Sequence, residues 1–346
     1  MRKAILVKVV LWCSIGCCLM PASLHAQKNV PQIIFETDMG NDVDDALALD
    51  MLYKYQDKRK ASLLAIISNK QSAYSTEYID LMNHWYGYPG IPVGKITGGA
   101  DSENDAKKYA EYVSRLKDEK GGPLFQRPPF DYQAIPDAVT LYRKILSRQK
   151  DHAVTIVSVG FSTNLARLLE SAPDHYSRMT GRQLVAKKVK LLSVMAGGFT
   201  EKPIAEYNVV KDVSSAQQVA KDWPTQIVYA PFEAGKMVLY PARSIENDFK
   251  WTARHPVVEA YKYYLPMPYD RPCWDLLSVL YAVEDSPEFF TKGPWGNVTV
   301  DDKGVTHFTR DASGTRACLT LTETQAANTL HHLVELITQQ PRNRKQ

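Results

Sequence analysis

Cysteine is scarce in this chain and unevenly placed. Three of the five lie within the first 18 residues, and only Cys273 and Cys318 follow. Two thiols cannot make the framework of a small disulfide scaffold, although one bridge between them is permitted in an oxidising compartment. A strong charge of either sign is also missing. The formal +4 falls to +1 once the first 26 residues, with three basic side chains and no acidic one, are set aside. So near to neutrality, the chain offers no electrostatic support for binding nucleic acid. Long apolar runs are absent after the opening segment, as are repeats and low-complexity tracts. No transmembrane span is expected in the mature chain.

The opening segment, "MRKAILVKVVLWCSIGCCLMPASLHA", has Arg2 and Lys3, then an apolar stretch to about Met20, then a turn from Pro21 to Ala26. That three-part pattern predicts a secretory signal removed after Ala26, and so an exported, periplasmic protein. Leu24 is larger than is usual three residues before a cut. Cys17 leaves lipid attachment as the alternative.

What remains, residues 27–346, reads as one α/β domain. Apolar strand-like runs occur at 32–38, 62–68, 91–96, 153–159, 189–197 and 225–230. Helical patterns fall between them near 44–56, 75–87, 103–118, 137–149, 162–171, 213–221 and 256–264. Short continuous apolar strands alternating with helices predict an open, doubly wound, mostly parallel sheet with helices on both faces, a Rossmann-like architecture. Ligands of such a sheet bind at the carboxyl ends of its strands. Residues 120–136, rich in proline and glycine, read as a loop. The tail adds strand-like segments and a last helix near 323–338.

Against this background one stretch stands out. "ETDMGNDVDDALALDML", residues 36–52, places Asp38, Asp42, Asp44 and Asp45 at the end of the first strand and the start of the first helix. A helix N-terminus accommodates one or two carboxylates through free N–H groups and its dipole. Four repel one another, and a divalent cation bound by hard oxygen ligands would relieve the repulsion. Three distant segments share the placement at strand ends or helix starts. "VSVGFSTNLARLL" frees the Val159 carbonyl at a glycine turn. "AEYN" carries Glu206 and Asn208, which share a face if the segment is extended. "CWDLLSVL" puts Asp275 at the mouth of an apolar helix. Taken singly, each also reads as an ordinary turn, surface pair or cap.

These motifs together resemble the nucleoside hydrolase family, the calcium-dependent inosine–uridine type of N-ribohydrolase, over roughly residues 32–285. The family's Asp-x-Asp-x-Gly and Asp-Asp-Ala-x-Ala correspond to "ETDMG" and "DDALA", with Glu36 for the leading Asp and two extra residues before Asp44. By position, the resemblance implies Asp38, Asp45, the Val159 carbonyl and Asp275 as Ca²⁺ ligands. Asp38 would also be the base for a Ca²⁺-bound water. Asp42 is an alternative ligand, because the insertion blurs the alignment. Asp44, Asn69 (in "SNK"), Glu206 and Asn208 (in "AEYN") would hold ribose hydroxyls. The histidine commonly preceding the last Asp is Trp274, which either stacks on the leaving group or packs in the core. A ribose-side Asn is Thr200. His84, Tyr74 and Tyr78 are weaker candidates for the pocket. The family also implies a small-molecule substrate and a homo-oligomer. A non-catalytic calcium-dependent ribose- or nucleoside-binding protein is the alternative function. An aspartate-nucleophile phosphotransferase ranks below both, since it gives "AEYN" and "WD" no role.

Overall fold

A computed structural model describes residues 30–100, 108–202 and 204–342; the proposed signal segment and part of the helix expected at 103–118 lie outside them. Six strands, β1 (Gln32–Thr37), β2 (Ser62–Ser68), β3 (Val93–Gly94), β4 (Val154–Ser158), β5 (Val189–Met195) and β6 (Gln226–Ala230), coincide with the six apolar runs. The run at 91–96 contributes only two strand residues, as prolines and glycines crowd that segment. Six further strands follow: β7 (Leu239–Tyr240), β8 (Arg271–Pro272), β9 (Thr291–Lys292), β10 (Gly296–Val300), β11 (Thr306–Arg310) and β12 (Arg316–Thr320).

The main sheet runs β11-β10-β12-β6-β5-β4-β1-β2-β3. From β3 to β12 every neighbouring pair is parallel, and β10 and β11 extend the edge antiparallel. The tail therefore completes the sheet. Because β2 and β4 flank β1 on opposite sides, the winding reverses there, and a crevice opens above the ends of β1 and β4.

Period-two alternation divides the sheet between two cores. Ile33 and Phe35 of β1 face one of them, built with Leu47 of the helix Asp44–Asp57, Leu276 of the helix Trp274–Val283 and Leu333 of the helix Glu323–Ile337. Ile34 faces the other, with Leu141 of the helix Ala138–Ser147 and Leu165 of the helix Thr163–Glu170. Each such fully buried aliphatic side chain contributes about 2 kcal/mol. Helices thus cover both faces, as expected. Gly181–Lys188, Phe232–Lys236 and Ala242–Asn247 are helices that the apolar pattern does not announce. Short or strongly charged, they give too few turns for a period to be read.

The bridge left open between the two cysteines is not formed: Cys273, at the mouth of a buried helix, and Cys318, in β12, are free thiols. One local expectation is corrected. Glu206 and Asn208 do not share a strand face. Glu206 is the N-cap of the helix Tyr207–Lys211, and Asn208 lies in its first turn. No helix among the described residues is long and apolar enough to cross a membrane.

Candidate active site

The chain leaves β1 at Thr37 and turns through Gly40, whose φ of 115° belongs to a region open to glycine. Val43 is the N-cap of the next helix and offers no side-chain bond, so Asp44 and Asp45 fall in its first turn instead of capping it. Asp45 accepts a hydrogen bond from the Thr37 hydroxyl. Asp44 reaches across to a different helix and accepts from the Asp275 backbone N–H at 3.0 Å. One carboxylate therefore satisfies an end of the helix Trp274–Val283 and brings Asp275 to the acidic loop.

Carboxylate oxygens of Asp44, Asp45 and Asp275 all lie within 4.8 Å of one another. All three residues are buried, and none has an ion pair among the described residues. Burial, with the charges of Asp42, Asp38 or one another added, raises each carboxyl well above its ordinary range. Removing like charges from water without a counter-ion is costly. A hard divalent cation with oxygen ligands fits this donor set.

A cleft of about 360 Å³ opens over these three residues and is lined also by Asp38, Val159, Glu206, Asn208 and Trp274. Asp38 follows β1. Its Oδ2 accepts from Asn41 Nδ2 at 2.8 Å, and Asn41 Oδ1 in turn accepts from Lys70 Nζ at 2.5 Å. Burial pushes its carboxyl up to about 6 against those contacts. Glu206 accepts from three backbone N–H groups, of Gly197, Asn208 and Val209, yet burial still raises it to about 7. Asn208 donates to the carbonyls of Val159 and Met195, both at 3.2 Å, and so ties the ends of β4 and β5 together.

The sequence-predicted residues divide in two. Asp38, Asp44, Asp45, Val159, Glu206, Asn208, Trp274 and Asp275 meet at this cleft. The convergent trio contains Asp44 where the resemblance implied Asp38. Asp42 lines the cleft but is held by Arg271 and does not join the trio. Asn69 is not in the lining. It lies buried beneath, donating to Glu36 at 3.3 Å, with Gly160 so close that a Cβ there would come within 2.5 Å of the amide. Thr200 belongs to another depression. His84 pairs with Asp80, Tyr78 donates to the Pro256 carbonyl in the core, and Tyr74 borders a separate small cavity.

Sequence reasoning missed Asn41, Met195, Tyr207, Phe232 and Tyr264, which complete the lining. Phe232 stacks with Trp274 at a centroid distance of 5.5 Å and accepts its indole N–H through the backbone carbonyl. The one signal for this wall was aromatic density near residues 261–274. The site therefore has an acidic floor at the strand ends and an aromatic wall, an arrangement able to hold a cation, a polyhydroxylated ring and a flat apolar group together.

The family model described as inosine-uridine preferring nucleoside hydrolase matches residues 33–336, so the likeness extends through the tail beyond residue 285. The pyrimidine-specific ribonucleoside hydrolase RihA of Salmonella paratyphi B is 30% identical over 190 residues, 54% of this chain and 56% of RihA. The chain thus spans about half the length of the curated relatives it matches. Among solved structures, the inosine-uridine preferring nucleoside hydrolase from Bacillus anthracis superimposes with a TM-score of 0.67 at 16% identity, covering 89% of this chain and 99% of that one. The purine-preferring ribonucleoside hydrolase from Gardnerella vaginalis gives 0.64 at 14% identity, with coverages of 89% and 99%. At these identities the structural likeness speaks for the fold.

Proposed function

The chain belongs to the inosine-uridine preferring nucleoside hydrolase family, and from that premise we propose that it hydrolyses the N-glycosidic bond of a ribonucleoside or related ribosyl compound, with Ca²⁺ as its cofactor. The observation that carries this reading is the meeting of buried Asp44, Asp45 and Asp275, with no ion pair among the described residues, in one cleft with Asp38, Glu206 and Asn208. Asp45, Asp275 and Asp38, with the Val159 carbonyl, would hold the ion, and Asp44 would hold a ribose hydroxyl. When bound, the cation supplies fixed positive charge that acidifies a water and gathers vicinal hydroxyls.

The chain's own residues do the rest. Asp38, aimed by Asn41, accepts the proton of the attacking water. The acidic floor favours positive charge growing on the ribose as the bond to the leaving group lengthens. Glu206 and Asn208, fixed by backbone contacts, position the hydroxyls. Trp274 and Phe232 offer an aromatic face to the leaving group.

The test is free-ribose release from a nucleoside panel by purified residues 27–346. Turnover should vanish with chelator, return with Ca²⁺, and fall about 10³-fold in Asp38→Ala. Bound Ca²⁺ with no turnover on any nucleoside would contradict the reading. It would favour a calcium-dependent nucleoside-binding protein, which the Trp274 found in place of a histidine also supports. Export follows as a further proposal from the first 26 residues, and secreted material should begin at Gln27.

A further inference from the structure

The N-ribohydrolase reading leaves the departing group without a partner, and two departures from the family pattern meet where that partner belongs. Asp42 comes from the two-residue extension of the acidic loop. It grips Arg271 at two points, accepting from Nε at 2.9 Å and from Nη2. Arg271 stands three residues before Trp274, the replacement for the usual histidine. Its guanidinium lies 5.1 Å from the centre of the Trp274 ring and 5.2 Å from that of Tyr264, and Nη2 also donates to the Tyr264 hydroxyl at 3.1 Å. Asp42, Tyr264 and Trp274 all line the cleft; Arg271 is not itself in the lining but packs against these three residues that are. The Arg271 side chain remains 20% exposed, and no described residue engages its Nη1.

We propose that Arg271 is the leaving-group residue of this site, donating from Nη1 to the aglycone as negative charge collects there. The proposal rests on the N-ribohydrolase reading and deepens it. A guanidinium does not give up its proton in proteins, so it cannot act as a general acid. Its contribution is a charge-assisted hydrogen bond to a group leaving as an anion. The C1′–N bond breaks with its electron pair going to nitrogen. Water oxygen bonds C1′, its proton passes to Asp38, and the aglycone anion takes a proton from solvent after release. The substrate class follows: ribosides of heteroaromatic rings whose carbonyl groups delocalise that negative charge. Asp42 is a positioning residue here. It holds the planar fork in place, which a solvated arginine on a flexible stem would not maintain.

Leaving groups of different acidity test the assignment. Wild type, Arg271→Ala and Arg271→Lys are compared on a nucleoside and on 4-nitrophenyl ribofuranoside, whose aglycone departs readily unaided. Arg271→Ala should lose on the order of 10²-fold in kcat on the nucleoside but less than about 5-fold on the nitrophenyl riboside, with Ca²⁺ affinity little changed. Arg271→Lys should keep the same selectivity with a loss of roughly 10-fold, and it serves if the alanine variant does not fold. Equal losses on both substrates, or no loss on the nucleoside, would overturn the role. A wild type cleaving only the nitrophenyl riboside, an O-glycoside, would overturn both this role and the N-ribohydrolase reading, whereas equal losses on both substrates overturn the role alone. A wild type cleaving neither would remove the hydrolase reading itself, and this inference with it.

Discussion

Asp44 and Asp45 open the helix Asp44–Asp57, and Asp50 lies less than two turns further on. All three are buried in one element, yet their surroundings differ in kind. Asp50 has a counter-charge, Lys54, one turn along at 3.9 Å, and it accepts from the Tyr86 hydroxyl. Burial still wins there, and its carboxyl is pushed up to about 6. Asp44 and Asp45 have other carboxylates for neighbours, and burial with those charges raises both well above their ordinary range. Asp50 finds its counter-charge within the fold, whereas Asp44 and Asp45, facing a cleft beside Asp275, form a donor set that fits a hard cation.

The comparison breaks first on activity. Asp38→Ala should lower kcat by about 10³-fold with the fold intact, as expected for loss of a general base, whereas Asp50→Asn should leave kcat unchanged in steady-state assays. Next comes a difference of sign. Without Ca²⁺, Asp45→Asn should raise the melting temperature, since it removes a repelling charge while keeping an acceptor for Thr37. Asp50→Asn should lower it, at a cost of about 3 kcal/mol of stability, because the buried Lys54 ammonium keeps the Gln339 carbonyl but loses its counter-charge. Both shifts are read by calorimetry.

A smaller effect is expected from pH. The raised carboxyls of Asp38 and Glu206, about 6 and about 7, favour the folded state in their protonated form. That contribution is fully present below the unfolded values near pH 4 and is lost as pH rises through 6 and 7, at roughly 3 kcal/mol apiece. Denaturant titrations without Ca²⁺ should therefore show stability falling from pH 4 to 7, and saturating Ca²⁺ should cancel the site's share. The smallest effect is at the wall. Tyr207→Ala should raise KM several-fold and leave kcat and Ca²⁺ affinity alone, since this half-exposed ring lines the cleft and offers no carboxylate to a cation.

The same division governs what could be read in advance. The parallel sheet, its helical layers and the acidic floor were legible because apolar period and clustered charge are local features. Asp38 and Asp45 stand in the local acidic cluster and Asp275 at the mouth of an apolar helix, while their roles as ligands came from the resemblance to the family. What was not legible depends on one segment meeting another. Asp44 as a cap for a helix 231 positions away, Asn41 between Asp38 and Lys70, and Arg271 on Asp42 all require the fold to be known. Asn69 is the counter-case: its place after β2 was legible, but not that it lies buried, donating to Glu36 with Gly160 close against its amide.

The most direct test is the melting temperature of metal-stripped protein titrated with Ca²⁺, wild type beside Asp45→Asn. Wild type should gain about 3 kcal/mol of stability at a hundredfold excess over Kd, and the variant should begin higher and gain nothing. A wild type indifferent to the ion, or a variant that starts lower and still responds, would contradict the claim that these carboxylates await a cation.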